Sequence, residues 1–242
     1  MENISLEKRI DELTRQLHIA HQDWEEFRHA LSHDLKAPLR AVQGFSLILK
    51  EDYGSLLDEE ANRIIEVIVA NANKVKQQIE DLVNLSGMGA KQLNLQDVNM
   101  KELAEECLSE LLTDEQRAGF EISIGTLDKC KGDVGLLKEV WLQLLKNAIR
   151  YSSKKEKPSI EINYSADATS RIYSVKDKGE GFDMEYSHKL FKIFQRLHSY
   201  EEFDGAGTGL AFVKRIILKH GGSVWAEATP NKGSCFYFSI PF

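Results

Sequence analysis

The sequence predicts an α+β protein, in which an N-terminal coiled coil and an antiparallel helical hairpin precede an α/β sandwich. Three observations support this class. Apolar residues between positions 6 and 82 repeat at spacings of four and three, as in helices that pack along one stripe. Twelve of the 16 glycines lie after residue 95. Alternating runs follow there at 120–124, 159–164 and 234–240, and alternation indicates strands.

Composition limits the classes of function. With 242 residues, 42% of them hydrophobic, and only four prolines, the chain is long and apolar enough for ordered domains of unequal size. A net charge of −7 argues against a nucleic acid or an anionic membrane as partner. Cys107, Cys130 and Cys235 form no CxxC motif, which favours reduced thiols and a cytoplasmic location. No run approaches the roughly 18 apolar residues of a membrane span.

Residues 1–26 are predicted to form a coiled-coil signal helix. Its apolar residues lie on one heptad seam, which indicates a homodimer. The alternative is one long amphipathic helix that packs within a monomer. The seam consists of Leu6, Ile10, Leu13, Leu17, Ala20 and Trp24.

Residues 27–90 are predicted to form the helical hairpin. The same apolar phase continues to Leu49, and a turn at 53–55 ends it before Asp58 begins a second helix. A second stripe runs from Ala61 to Leu82. Two such hairpins from two chains would make a four-helix bundle.

Residues 95–242 are predicted to form the α/β sandwich. Here helical patterns alternate with the short strands, and Asn99 and Glu102 resemble a capping box at the start of the first pattern. The predicted helices span 99–112, 133–150, 184–194 and 208–220.

His33 is the first candidate for chemistry. It lies two positions from both Leu31 and Leu35, so on a helix it points about 160–200° away from the seam, towards water. Asp34 follows, and a carboxylate beside an imidazole can hold one ring N–H and make the other nitrogen a better nucleophile. Pro38 is expected to bend the helix just beyond. The pair His29 and His33 lacks a third ligand for a metal.

Two glycine clusters are candidates for a ligand site. The run DKGEGFD at 177–183 follows a strand-like segment, and a plain hairpin turn explains it as well as a ligand site does. The run GAGTGLAFVK at 205–214 leads directly into a helix, where free N–H groups can bind phosphate. Its G-x-G-x-G spacing is not that of a dinucleotide fingerprint.

These motifs together resemble a known family. The segment SHDLKAPLR at 32–40 resembles the phospho-acceptor box of bacterial sensor histidine kinases. The two glycine runs, with QLLKNAIRYS at 143–152 and KLFKIFQRLH at 189–198, are similar to the G1, G2, N and F boxes of their catalytic ATP-binding domain. That fold is shared with type II topoisomerases and one class of heat-shock chaperones. The segments FQRLH and SHDLKAPLR are especially similar to those of kinases attached to phytochrome-type or PAS-type sensors.

The resemblance implies roles for the hairpin residues. His33 would be the phospho-acceptor, and Asp34 would orient and deprotonate it. Phosphatase-competent members carry Thr or Asn four residues after the histidine, whereas this chain has Ala37, which argues against phosphatase activity.

The resemblance also implies an ATP site that contains Mg²⁺. Asp177 would accept the adenine amino group, and Asn147 would coordinate the metal. Gln143 replaces the second asparagine of the family, which implies a weaker or water-mediated metal contact. Phe191 and Phe194 would anchor a lid, or else lie in the core at helical spacing. The remaining ATP-binding residues implied are Arg150, Tyr151, Gly179, Gly181, Arg196, Gly205, Gly207, Thr208, Gly209 and Leu210.

By this resemblance, the chain is an ATP-dependent autophosphorylating histidine kinase of a two-component system. It would pass phosphate from His33 to an aspartate of a response-regulator receiver domain. One alternative is an ATPase or serine kinase of the same nucleotide fold, for which Glu139 is the candidate to activate water. The other is a dimeric scaffold that binds nucleotide without phosphotransfer.

Overall fold

The computed structural model describes residues 2–88, 92–195 and 207–242, and it divides into two compact units. The first unit extends to Gly87, and the second runs from Met88 to Phe242. Across the described ranges, every helix is too short or too polar to cross a membrane.

The first unit is a helical hairpin of α1 (Glu2–Tyr53), a 3₁₀ turn (Gly54–Leu56) and α2 (Glu59–Gly87). The 52-residue helix α1 continues through Pro38, and no interruption separates the predicted coil from the predicted hairpin at residue 26. Polar contacts show that α1 and α2 run antiparallel, because residues further along α1 contact residues progressively closer to the start of α2. These contacts pair Lys36 with Glu80, Gln43 with Asn73 and Lys50 with Glu66.

Polar groups close the turn of the hairpin. Asp58 begins α2 as predicted, since its Oδ1 accepts a hydrogen bond from the Ala61 N–H at 2.7 Å. Asn62 Nδ2 donates to the Gly54 carbonyl at 3.0 Å, which ties the turn to the first helical turn of α2.

The hairpin buries only part of its apolar stripe. Ile65, Ala72, Ile79 and Leu85 of α2 are buried. On α1 the predicted stripe remains exposed, and Phe45 has 73% of its surface accessible. The exposed stripe on α1 includes Leu35, Val42, Phe45 and Leu49.

The second unit is a sandwich of one five-stranded sheet and the helices that cover its inner face. The elements are β1 (Gln96–Val98), α3 (Met100–Leu111), α4 (Asp114–Ala118), β2 (Glu121–Ile124), β3 (Cys130–Gly132), α5 (Val134–Ser152), β4 (Ser159–Ala166), β5 (Ser170–Asp177), a 3₁₀ helix (Met184–Lys189), α6 (Gly209–Lys219), β6 (Val224–Thr229) and β7 (Gly233–Pro241). Strands β2 and β4 are parallel, and the other neighbours in the order β2-β4-β5-β7-β6 are antiparallel. Strands β1 and β3 form a separate antiparallel pair.

The core lies between this sheet and helices α3, α5 and α6. Trp141 of α5 is fully buried and contacts the rings of Tyr173 and Phe238 edge-on, with centroids 6.2 and 5.3 Å away. Side-chain caps fix where the covering helices begin: Asn99 accepts from Glu102 N–H, and Asp133 accepts from Leu136 N–H. The core therefore orients α5 across the inner face of the sheet.

Several predicted bounds change. The helix predicted over 184–194 is wrong in its second half, because a 3₁₀ helix ends at Lys189 and turns follow through Phe194. Phe194 has φ +61°, which no regular helix adopts. The short elements β1, β3 and α4 were not predicted, because three to five residues carry too little periodicity to be recognised.

Candidate nucleotide-binding site and phospho-acceptor helix

The carboxylate of Asp177 lies at the end of β5 and is 2% exposed. Ser234 Oγ donates a hydrogen bond to Oδ2 at 2.5 Å, and the Gly179 N–H donates to Oδ1 at 2.8 Å. Burial raises the pKa of Asp177 above its ordinary value, while these hydrogen bonds stabilise the ionised form and oppose the rise. The result is a hydrogen-bond acceptor held in one orientation by the protein.

Gly179 is required by the space around this carboxylate. A Cβ at that position would lie 2.6 Å from Asp177 Oδ1 and 2.7 Å from the Tyr151 carbonyl oxygen. Any side chain would therefore push the carboxylate and the last turn of α5 apart. Gly181 has φ +61°, and a Cβ there would collide with the Thr229 carbonyl.

The turn between β6 and β7 contacts this glycine loop through a main-chain hydrogen bond. The Asn231 N–H donates to the Glu180 carbonyl at 2.6 Å. On the other side, Lys155 Nζ forms an ion pair with Glu180 at 2.9 Å, which joins the loop to the segment after α5. The loop is thereby fixed on both flanks.

Ser234 is a residue of the candidate site that the sequence analysis missed. It is the cross-strand partner of Asp177, on the neighbouring strand β7, and is 7% exposed. The sequence did place Ser234 at the start of a predicted strand, directly after Gly233. Only the register of β5 against β7 makes this serine the partner of the carboxylate.

Gln143 and Asn147 lie one turn apart on α5. Gln143 Nε2 donates to Glu139 Oε1 at 2.6 Å, which leaves its Oε1 directed at Gly209, the first residue of α6. Glu139, the candidate water-activating base, is thus engaged by Gln143. Asn147 is partly exposed. The Gln143 amide oxygen therefore lies beside the start of α6, and Asn147 follows one turn later on α5.

Arg150 and Tyr151 lie in the last turn of α5, and both are partly exposed. The Tyr151 carbonyl approaches Gly179 closely, so the end of α5 and the glycine loop meet at one point. The structure therefore brings Asp177, Gly179 and the main chain of Tyr151 together at the end of α5.

The start of α6 forms the other side of the site. Thr208 is the buried N-cap residue, and Gly209 and the partly buried Leu210 follow it. The Gly207 carbonyl accepts a hydrogen bond from the Phe194 N–H at 2.9 Å. Two further predicted residues, Arg196 and Gly205, lie outside the described residues.

The two predicted lid phenylalanines differ in how far they are buried. Phe191 packs against the core, whereas Phe194 is 41% exposed. The interpretation that both are core residues at helical spacing is therefore wrong for Phe194.

His33 lies within α1, five residues before Pro38, and its side chain is outside the described part of the chain. Asp34 is exposed. Ala37 is also exposed on this helix.

Fold and site together define a class: a helical hairpin that carries a histidine, followed by a sandwich with a buried acceptor carboxylate beside a glycine loop. Family models agree with both parts. Residues 23–91 match the His Kinase A (phospho-acceptor) domain, and residues 132–242 match the Histidine kinase-, DNA gyrase B-, and HSP90-like ATPase domain. The chain therefore carries both domains of a histidine kinase core, the phospho-acceptor domain and the ATPase-like domain.

Individual relatives agree. The phytochrome-like protein Cph1 of Synechocystis is 32% identical over 96% of this chain, and the methanogenesis regulatory histidine kinase FilI of Methanothrix harundinacea is 29% identical over 98%. The chain spans only 31% and 26% of those two proteins. The solved structure of the histidine kinase AdeS of Acinetobacter baumannii is similar over 86% of this chain and 97% of its own, with 25% identity and a TM-score of 0.60. Full-length ShkA, solved with AMPPNP, shares the fold over 90% of this chain and 46% of its own, with 24% identity and a TM-score of 0.62.

Proposed function

We propose that this chain is an ATP-dependent protein-histidine kinase that phosphorylates its own His33. The observation that carries the proposal is the buried Asp177 carboxylate, fixed by Ser234 and Gly179 in the domain that follows a histidine-bearing hairpin. A fixed acceptor at the base of a glycine loop suits the amino group of adenine.

ATP is the substrate of the second unit in this proposal. Adenine would lie between the glycine loop and Tyr151, with its amino group on Asp177. The phosphates would extend towards the start of α6, where the backbone N–H groups of Gly207, Thr208 and Gly209 and the positive end of the helix favour anions. Arg150, Arg196, Gly205 and Leu210 complete the proposed ATP site.

The donor set on α5 suits Mg²⁺, because Asn147 and Gln143 offer amide oxygens, the ligand type that this ion prefers. The Glu139 carboxylate holds the Gln143 amide nitrogen, so the oxygen is the atom left for the metal. When bound, the ion would neutralise charge on the phosphates. Asn147 is the proposed direct ligand, and Gln143 a longer or water-mediated one.

In the transfer step, a ring nitrogen of His33 attacks the γ-phosphorus in line. The bond from phosphorus to the β-phosphate oxygen breaks, a nitrogen–phosphorus bond forms, and ADP leaves. Asp34 orients the ring and accepts the proton that the imidazole loses. Positioning and charge neutralisation account for most of the rate.

The phosphoryl group would then pass to an aspartate carboxylate of a response-regulator receiver domain; the nitrogen–phosphorus bond breaks, the ring nitrogen takes up a proton, and neutral His33 is regenerated. The exposed stripe on α1 supports a homodimer, since four-helix bundles bury such stripes between hairpins. Ala37 supports the absence of phosphatase activity. The three free thiols support a reducing, cytoplasmic setting.

The experiment described below also distinguishes two alternative functions, an ATPase and a nucleotide-binding scaffold. An ATPase needs a base that activates water, and Glu139 is hydrogen-bonded to Gln143. A scaffold would bind nucleotide without transfer.

The test incubates the purified chain with Mg²⁺ and γ-labelled ATP beside His33→Gln. The matched control is His29→Gln, which removes a histidine one turn earlier on the same helix. We expect protein-bound label that survives base but not acid, present with His29→Gln and absent with His33→Gln. Label that persists without His33 contradicts the proposal, as does nucleotide binding without any label.

A further inference from the structure

A wide-mouthed cavity of about 560 Å³ lies in the sandwich unit; it is called the second cavity because it is separate from the candidate ATP site. Its walls are the start of α3, the loop between β2 and β3, and the first part of β5. The residues that line it are Asn99, Lys101, Thr126, Leu127, Asp128, Lys129 and Arg171.

The cavity is at the opposite end of β5 from Asp177. Arg171 and Asp177 are six residues apart on this strand, which is about 20 Å at the rise of an extended chain. None of the residues proposed to hold ATP lines the cavity. The cavity is therefore a separate feature of the fold.

The residues that line this cavity carry a net positive charge. Three of them are cationic, Lys101, Lys129 and Arg171, against the single carboxylate of Asp128, which leaves a formal charge of +2. The whole chain carries −7. A local positive field inside a concave wall attracts anions more strongly than the same charges on a flat surface.

The walls are held in place before any ligand arrives. Tyr173 Oη donates to the Asp128 carbonyl at 2.8 Å, and Tyr164 Oη donates to Asp128 Oδ2 at 3.0 Å. The Gly125 N–H donates to the Ile162 carbonyl at 2.9 Å. The guanidinium of Arg171 is stacked over the Phe242 ring, 4.5 Å from its centroid. A fixed wall reduces the entropy that binding would cost.

We propose that this cavity binds a small phosphorylated metabolite. A phosphate monoester carries a charge of about −1.5 to −2 at neutral pH, which matches the formal charge of the cavity. The planar guanidinium and two ammonium groups are the donors that phosphate oxygens accept from. The cavity is wide enough to admit a phosphate group, and Leu127 lies in its wall beside the charged residues.

The experiment titrates the full 242-residue chain with inorganic phosphate at constant ionic strength and follows backbone amide chemical shifts. The test variants are Lys129→Glu and Lys101→Gln, and both residues are exposed, so the fold does not depend on them. The matched control is Lys131→Glu, which makes the same charge change on an exposed lysine two residues away and outside the cavity.

We expect shifts confined to amides near 99–101 and 126–129. We also expect affinity to fall about fivefold with Lys101→Gln and about tenfold or more with Lys129→Glu, as for the loss and the reversal of a solvated charge contact. Lys131→Glu should change it less than twofold.

Three outcomes overturn the proposal: no shift at these amides, shifts confined to residues 177–181 and 207–209, or equal losses in Lys129→Glu and Lys131→Glu. The last outcome would mean that phosphate responds only to overall charge.

Discussion

Ser234 is expected to stabilise the ionised form of Asp177, the proposed adenine acceptor, and Ser234→Ala tests that role. The change removes the only side-chain donor to Asp177 seen in the described residues, at 2.5 Å from Oδ2. A hydrogen bond to a buried charged group contributes about 1.5–3 kcal/mol, so we expect the free energy of unfolding at pH 7.5 to fall by about that amount. The pKa of Asp177, already raised by burial, should rise further, because the bond from Ser234 lowers it.

The consequence for nucleotide binding follows from the sign of that shift. The ionised carboxylate is the stronger acceptor for the proposed adenine amino group, so affinity should be highest above the pKa of Asp177 and should fall as the pH drops through that pKa. In Ser234→Ala this loss should begin at a higher pH than in the unaltered chain. Below the pKa, affinity falls about tenfold for each pH unit.

The assay is calorimetric titration of ADP between pH 5 and pH 8. Ser234→Thr is the matched control, because it keeps the hydroxyl donor and should keep the original pH profile. Parallel pH profiles for Ser234→Ala and the unaltered chain would refute the reasoning, as would a Thr variant as weak as the Ala variant.

Three further changes have definite expected results. Asp177→Asn should raise the unfolding temperature of the nucleotide-free chain, and the rise should be largest at neutral pH, because the pKa of Asp177 is raised and its contribution to stability is lost as the pH rises through that pKa. Thermal melts of the variant and the unaltered chain at pH 5 and pH 7.5 measure this difference, and the variant should also bind ADP more weakly. Gly179→Ala should destabilise the second unit by about 1–3 kcal/mol by overpacking and weaken ADP at least tenfold, measured by denaturant unfolding and calorimetry; unchanged ADP affinity would contradict the close approach to Tyr151. Phe45→Asp should weaken self-association about a hundredfold or more in sedimentation equilibrium, whereas Leu56→Asp, equally exposed but in the hairpin turn, should not.

The fold class was predictable because two different periodicities divide the chain. Helix α2 shows why: its buried residues Ile65, Ala72 and Ile79 lie on the stripe read from the sequence. Local signals also located the glycine loop at 179–181. Turns after Lys189 were mistaken for helix, because Phe191 and Phe194 have helical spacing by coincidence.

The features of the site that the sequence did not predict depend on contacts that residue spacing does not reveal. Ser234 lies 57 positions from Asp177, and only the antiparallel register of β7 with β5 brings them together. The hydrogen bond from Gln143 to Glu139 follows from side-chain orientation, which residue spacing does not determine. The second cavity joins three segments that share no motif.

Continuity of α1 has a mechanical consequence. Because a helix rises 1.5 Å per residue, an unbroken rod of about 47 Å separates its first residue from His33. A proline has no N–H, so Pro38 leaves out the bond that would have joined it to the carbonyl of Asp34. One turn of the rod is thus torsionally softer than its neighbours, and it is the turn that begins beside His33. Torque applied at the amino end of α1 is therefore expected to produce more twist in this turn than in the turns before it.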